Sequence, residues 1–134
     1  NLNINSLRLN SKMEQKCRLK LYDRFSQSNS ILIATDVAAR GLDVPNVQTV
    51  IHLSVPANPD LYVHRSGRTA RQFRPGQSIM FVIPEHYSQY QQILKTLKRS
   101  TDLSEYYVDP EIMRKYKNVV DWSIIIADES SKLK

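Results

Sequence analysis

Three arginines stand three residues apart in the segment His64–Arg71, which reads His-Arg-Ser-Gly-Arg-Thr-Ala-Arg and is called here the arginine segment. If the segment is helical, the guanidinium groups of Arg65, Arg68 and Arg71 lie over one face, where like charges at this spacing repel one another. A guanidinium is a permanently charged planar fork that suits phosphate oxygens, and an arginine beside a transferring phosphoryl group stabilises its transition state. The segment therefore predicts a phosphate-bearing partner; a solvated basic face is the alternative.

A second segment favours the phosphate interpretation. Residues 31–43 read Ile-Leu-Ile-Ala-Thr-Asp-Val-Ala-Ala-Arg-Gly-Leu-Asp, a short apolar run that changes abruptly to small, hydroxyl-bearing and charged residues. This pattern is typical of a buried strand whose carboxyl end opens onto a binding site. We therefore expect a site where this strand ends.

The charge balance also indicates a polyanionic partner. The chain has 19 Lys and Arg against 13 Asp and Glu, a net charge of +6. Residues 1–101 hold 14 basic and 6 acidic residues, whereas residues 102–134 hold 5 and 7. A basic surface suits nucleic acid or another polyanion. We expect that surface in the first part of the chain.

Composition disfavours several classes of protein. Cys17 is the single cysteine, so the chain has neither an internal disulfide nor a thiolate zinc cluster, and we predict no metal site. Cys17 is spaced like a small core residue in line with Met13, Leu21 and Phe25. No long apolar stretch suits a membrane span and no signal-peptide pattern opens the sequence, which predicts an intracellular protein with no membrane partner.

Strand and helix patterns alternate along the first hundred residues. The strand patterns fall at 5–9, 31–34, 47–53 and 78–83, and the helical patterns at 12–25, from 60 into the arginine segment, and at 84–99. Strands separated by helices of this length need crossover connections. The predicted fold class is therefore α/β, a parallel β-sheet flanked by helices.

The hydrophobic pattern changes in residues 102–134. Asp109 is placed to cap a helix with Pro110 in its first turn. We expect the apolar stripe of this helix to pack on a surface, and Trp122 to pack on the domain or, alternatively, to anchor a partner. The stripe consists of Ile112, Met113, Tyr116, Val119, Val120, Ile124 and Ala127.

Taken together, Thr35–Asp43 and His64–Arg71 resemble motifs V and VI of the DEAD-box RNA helicases. Gln15 to Arg18, Gln-Lys-Cys-Arg, resembles that family's QxxR element. The resemblance covers roughly residues 5–100, and the joint spacing of three motifs is far more specific than one short match.

The resemblance implies the second of two RecA-like domains of an ATP-dependent RNA helicase. It divides the chain into a helicase C-terminal domain at 1–101, incomplete because it lacks its first strand, and a C-terminal extension at 102–134. The sequence contains neither a GxxxxGK[ST] phosphate loop nor an Asp-Glu-Ala-Asp motif. The resemblance therefore implies that ATP with Mg²⁺ is held mainly by the N-terminal RecA-like domain of the same protein, and that this fragment alone is inactive.

The same resemblance assigns residues to the nucleotide. Arg68 and Arg71 resemble paired arginine fingers, the catalytic side chains that reach across the cleft to the terminal phosphate of ATP. Asp43 resembles the carboxylate that accepts a hydrogen bond from the ribose, and Gly41 lies where that loop passes the nucleotide.

Further roles concern coupling and RNA. His64 and Arg65 resemble the residues that couple the cleft to the partner domain. Thr35 resembles a hydroxyl that donates to an RNA phosphate, with Gln15 and Arg18 contributing from the next helix. Such contacts to the backbone carry little sequence information.

Some residues carry no phosphate role. Asp36 and Arg40 are expected to pair with each other or with the sheet edge, and His52 to lie at a strand end. Ser66 stands where the family usually has a bulky aliphatic residue and Ala70 where it usually has glycine, and neither change removes a phosphate ligand.

The arginine segment with Ser66 and Ala70, together with the tail around Tyr107-Val108-Asp109, resembles the nucleolar branch of the family, which acts in large ribosomal subunit assembly. It implies a nuclear or nucleolar protein whose partners are RNA and pre-ribosomal particles. A non-catalytic RNA- or protein-binding RecA-like module is the alternative, because the phosphate loop is not in this sequence.

Overall fold

The computed structural model describes residues 4–39 and 47–132. Strands and helices alternate as the sequence predicts. In chain order the elements are β1 (Ser6–Leu9), α1 (Gln15–Ser26), β2 (Ile31–Ala34), α2 (Asp36–Ala39), β3 (Thr49–His52), α3 (Pro59–Ser66), β4 (Gln77–Met80), a 3-10 turn (Pro84–His86), α4 (Tyr87–Thr96) and α5 (Pro110–Lys132).

All strand pairing is parallel. β1 pairs with β2 in the register Ser6 to Ile31, and β3 pairs with β4 in the register Thr49 to Gln77. Because the carboxyl ends of parallel strands lie at one edge, the residues that follow β1 and β2 are neighbours. The backbone N–H of Thr35 donates to the carbonyl of Leu9 at 3.3 Å and extends this pairing to the end of β2.

Within residues 4–39 and 47–132, the strands form two two-stranded sheets instead of the one sheet that the sequence predicts. Apolar side chains on β2 and β3 are more than half exposed: Ile31 is 55% exposed, Ile33 52% and Ile51 54%. Strands of a parallel sheet normally bury both faces, so these side chains are unusually exposed for such strands.

Two apolar cores hold the elements together. In the larger, Val55 packs with Tyr90, Ile93 and Leu94 of α4. The smaller lies around Leu9, which is 2% exposed and contacts α1 and β2. Burial of side chains of this size is the main source of stability in a domain of this kind.

The buried face of α1 differs from the predicted stripe. Cys17 is exposed, so its assignment as a core residue was wrong. The half-buried positions of α1 are Arg18, Leu21, Tyr22 and Phe25, spaced three and four apart. A strict four-residue spacing drifts around a helix of 3.6 residues per turn, which carries Cys17 off the face that meets the sheet.

The apolar stripe of α5 is exposed, contrary to the expectation that it packs on a surface. Ile112, Met113 and Tyr116 are 52 to 60% exposed, and Trp122 is 67% exposed. By contrast, Leu103 packs against the larger core and its N–H donates to the Tyr90 hydroxyl at 2.9 Å. The division of the chain at 101 and 102 stays a prediction. None of the helices in the described ranges is long and apolar enough to cross a membrane.

Candidate functional site

Helix α3 delivers the first part of the arginine segment. The Asn58 side chain accepts from the N–H of Leu61 at 2.8 Å and caps the helix, and Pro59 occupies its first turn, where the missing N–H costs nothing. The helix ends at Ser66, and the N–H of Gly67 donates to the Val63 carbonyl at 2.8 Å.

The arginine segment is therefore not one continuous helix. Arg65 lies in the last turn of α3, Arg68 in the following turn, and Arg71 beyond it. Gly67 suits the end of α3 because it has no side chain: a β-carbon there would lie 2.9 Å from the Val63 carbonyl oxygen. The three guanidinium groups consequently do not share one helical face, as a helical segment would require.

Arg65 joins the two motif-bearing segments. Its Nε donates to Asp36 Oδ1 at 2.6 Å, its Nη2 to Asp36 Oδ2 at 2.7 Å, and its Nη1 to the carbonyl of Ser54 at 3.1 Å. The Arg65 side chain is 23% exposed and that of Asp36 36%. A two-pronged contact of this type fixes orientation as well as distance.

Asp36 has a partner outside its own segment. The carboxylate binds Arg65 of α3, 29 residues away. Arg40, its expected partner, lies outside the described residues, so that pairing stays a prediction. The predicted role of Arg65 in coupling to another domain stays a prediction, as does that of His64, which is exposed.

Thr69 anchors the end of the segment. Its side chain is 6% exposed, and Oγ1 lies 2.5 Å from the carbonyl oxygen of Val47 and 2.9 Å from that of Gln48. Gly76 passes so closely that a β-carbon there would lie 2.2 Å from Thr69 Oγ1 and 2.4 Å from the N of Ala70. The segment is thus held against the residues that lead into β3.

The backbone beyond Thr69 turns through the left-handed region. Ala70 has φ 55°, Gln72 φ 55° and Phe73 φ 62°. A β-carbon makes this conformation unfavourable by about 1 kcal/mol or more per residue, which is why glycine suits it. The glycine usual at the position of Ala70 is explained by this turn.

The helical turn from His64 to Gly67, which ends α3, holds the two predicted fingers. Arg68 Nε donates to the His64 carbonyl at 3.2 Å, and Arg71 Nε donates to the Gly67 carbonyl at 2.6 Å. Both arginines are half-buried. Each guanidinium is therefore tied along one edge to the turn that ends α3.

The predicted RNA-contacting residues lie at the carboxyl edge of the β1–β2 sheet. Thr35 follows β2 directly and is exposed. Gln15 opens α1, and its Oε1 accepts from Arg18 Nη1 at 3.4 Å. Arg18 lies on the half-buried side of α1, while Gln15 is exposed. Gly41 and Asp43, the predicted nucleotide-contacting residues, lie outside the described residues.

A polar cluster at the end of α3 consists of the buried His52, the half-buried Ser66 and the exposed Ser78. His52, 2% exposed, places Nε2 3.1 Å from Ser78 Oγ and 3.3 Å from Ser66 Oγ, and the two hydroxyl oxygens are 3.0 Å apart. We call these three residues the His52–Ser66–Ser78 network. Burial, and then the positive charge of Arg65, lowers the pKa of His52 from 6.5 to about 4, against a smaller opposing effect of Asp36. The imidazole is therefore neutral at pH 7.

Comparison with known proteins identifies the family. The sequence profile of the helicase conserved C-terminal domain matches residues 1–72. The human ATP-dependent RNA helicase DDX24 is 43% identical over 132 residues, which is 98% of this chain and 15% of that protein. The chain belongs to the DEAD-box RNA helicases.

Solved structures agree with this assignment. The DEAD-box protein SrmB of E. coli, bound to regulator of ribonuclease activity A, superposes with a TM-score of 0.71 at 33% identity over 81% of this chain and 63% of that one. Domain 2 of the DEAD-box helicase Mss116p, bound to an RNA duplex, gives 0.67 at 33% identity over 82% and 44%. The RecA-like fold of a helicase C-terminal domain is thereby confirmed.

Three residues of this helicase domain escaped the sequence interpretation. Thr69, Ser78 and Gly76 hold the arginine segment in place, yet none carries a charge or a phosphate-binding pattern. Their importance depends on contacts between positions far apart in sequence.

Proposed function

We propose that this chain is the second motor domain of an ATP-dependent RNA helicase, in which Arg68 and Arg71 act on the terminal phosphate of ATP and the edge near Thr35 binds RNA phosphates. The pair of hydrogen bonds between Asp36 and Arg65 carries the proposal. These bonds join the segment that follows β2 to α3, from which the arginine segment extends. A displacement of either segment should therefore move the other.

The guanidinium chemistry supports a role at ATP. Arg68 and Arg71 keep their positive charge at any physiological pH, and their planar forks suit phosphate oxygens. Because Nε of each donates to the backbone of the same turn, each side chain is held in advance. Preorganised charge at a developing negative charge lowers the barrier without reorganisation.

The donor set fits the phosphates of ATP better than Mg²⁺. Within residues 4–39 and 47–132, no group of three or more His, Cys, Asp or Glu is placed to bind a metal. We propose, as the family resemblance implies, that Mg²⁺ is held mainly by the N-terminal RecA-like domain and that ATP supplies the phosphoryl group when it binds between the domains. Asp43 and Gly41 are proposed to contact the ribose side of the nucleotide, and His64 and Arg65 to couple the cleft to that domain.

RNA is proposed to lie along the carboxyl edge of the β1–β2 sheet. The Thr35 hydroxyl is exposed there, and Gln15 with Arg18 begins the adjoining helix. These groups suit the sugar-phosphate backbone, so binding should tolerate changes of sequence and weaken with salt.

The wider setting is also a proposal, because the chain spans 15% of the length of DDX24. We propose a nuclear, nucleolar enzyme that acts on RNA in ribosome biogenesis, with pre-ribosomal particles as partners. The net charge of +6 supports a polyanionic partner.

RNA-stimulated ATP turnover by the full-length protein tests the proposal. Arg68→Ala and Arg71→Ala should each lower kcat by about a hundredfold or more while nucleotide binding is retained, because a finger acts mainly in the transition state. Arg99→Ala, which removes an exposed arginine beyond α4, is the matched control. Unchanged turnover in Arg71→Ala would contradict the finger role, whereas a wild-type protein without RNA-stimulated turnover would favour a non-catalytic RNA- or protein-binding module.

A further inference from the structure

The His52–Ser66–Ser78 network joins three elements at the point where the arginine segment leaves α3. His52 is the last residue of β3, Ser66 the last of α3, and Ser78 lies within β4. The three polar atoms, Nε2 and two Oγ, lie within 3.3 Å of one another. A buried imidazole with two serine hydroxyls at one nitrogen is a specific arrangement, because apolar packing alone would need none of these atoms.

The hydrogen bonds of the three residues depend on one another, because each proton is donated to one acceptor. A neutral imidazole with a bare Nε2 accepts one hydroxyl proton, so one serine donates to Nε2 and the other donates to its neighbour's Oγ. If Nε2 carries the proton, it donates to one serine, and that hydroxyl donates onward. In either tautomer, removal of one hydroxyl takes away a hydrogen bond that orients the other two side chains, and water at the exposed Ser78 does not restore that geometry.

The network is adjacent to the residues proposed to act on ATP. Ser66 lies between Arg65 and Arg68, and the N–H of Thr69 donates to the Ser66 carbonyl at 3.2 Å. On the other side of Arg68, the Thr69 side chain is anchored to the carbonyls of Val47 and Gln48. The turn that holds both guanidiniums by their Nε atoms is thus fixed at each end.

We propose that His52, Ser66 and Ser78 are positioning residues for Arg68 and Arg71. The network fixes the rotation of the last turn of α3 against β3 and β4, and the guanidinium groups follow because their Nε atoms are bonded to the backbone of that turn. This inference rests on the proposed function, since it assigns the positioning to the same two fingers. A small displacement of a catalytic group from its productive geometry is costly for the rate.

Kinetics of the full-length protein separates positioning from stability. Ser66→Ala and Ser78→Ala should each lower kcat for RNA-stimulated ATP turnover by about 5- to 20-fold, with KM for ATP changed by less than about twofold, because a finger contact forms mainly in the transition state. Ser66→Thr keeps a hydroxyl and should restore most of kcat. Ser88→Ala, an exposed serine of α4, is the control. Wild-type kcat in both alanine variants would overturn the inference.

A double-mutant cycle identifies the group through which the network acts. In an Arg68→Ala, Arg71→Ala background, Ser66→Ala should have no further effect on the residual rate, because the residues it positions are gone. If the serine variant still lowers the rate by the same factor in that background, it acts through general stability and the inference is wrong.

The same measurements distinguish this inference from the proposed function. If the two arginine variants turn over ATP normally, both fail. If the arginine variants are impaired and the serine variants are not, only the positioning role fails.

Discussion

Removal of the Asp36 charge should loosen helix α3 from the segment that follows β2. Arg65 gives this carboxylate two hydrogen bonds of 2.6 and 2.7 Å, and the third contact of its guanidinium is the Ser54 carbonyl. Asp36→Asn keeps the shape of the side chain and one acceptor oxygen, but it loses the charge and the second acceptor. The substitution therefore weakens this pair directly without changing the size of the side chain.

The magnitude follows from exposure and geometry. A hydrogen bond to a charged partner contributes roughly 1.5–3 kcal/mol, and two lie in this pair. The side chains are 23% and 36% exposed, so solvent screens part of the interaction. We expect a net loss of about 2 kcal/mol in the local free energy of opening, which corresponds to about 30-fold faster exchange of the amides that open with α3.

Hydrogen exchange of the full-length protein, followed by mass spectrometry of peptides covering residues 58–67, measures this loss locally. Asp23→Asn, which neutralises an exposed carboxylate of α1, is the matched control. Arg65→Lys should resemble Asp36→Asn, because an ammonium cannot span both carboxylate oxygens. Less than a twofold change in α3 exchange, equal to that of the control, would refute the structural role of the pair.

Three further predictions concern the same region. Because the pKa of His52 is lowered to about 4, its neutral form stabilises the fold fully above the unfolded value of 6.5, and this contribution is lost as pH falls toward 4. The loss of stability between pH 6.5 and 4.5 is up to about 3 kcal/mol. The melting temperature of the wild type should therefore drop more steeply over this range than that of His52→Gln, and parallel curves would contradict the assignment. Ala70→Gly should raise stability by about 0.5–1 kcal/mol because φ is 55°, so an unchanged or lower melting temperature would count against the left-handed turn. Gly76→Ala should destabilise by about 2 kcal/mol or more, since its β-carbon would meet Thr69 Oγ1 at 2.2 Å, and a wild-type melting temperature would mean that the two segments do not approach so closely.

The sequence predicted the parts of the site that depend on local order. The apolar run at 31–34 forms β2 over the same residues, and Thr35 and Asp36 follow at its carboxyl end. A strand at an apolar run bounded by polar residues is determined by neighbouring positions, so the sequence predicts where it begins and ends. The helix predicted from 60 begins at Pro59, one residue earlier, with Asn58 as its cap.

Features that depend on contacts between distant segments were not predictable in this way. The Asp36 partner is 29 residues away, and the network joins positions up to 26 residues apart. The helix predicted from 60 into the arginine segment ends at Ser66, because Gly67 ends α3 and the backbone then turns left-handed at Ala70. Charge spacing alone does not reveal such a turn, since it depends on close approach to Gly76.

Single-turnover hydrolysis of ATP by the full-length protein, with saturating ATP and RNA, tests the central claim most directly. The proposed function predicts that Arg71→Ala and Arg71→Lys bind nucleotide and RNA as the wild type does, yet cleave ATP about a hundredfold or more slowly, because each loses the guanidinium fork at the phosphate. A wild-type cleavage rate in Arg71→Ala would show that the arginine segment does not act on the phosphoryl group.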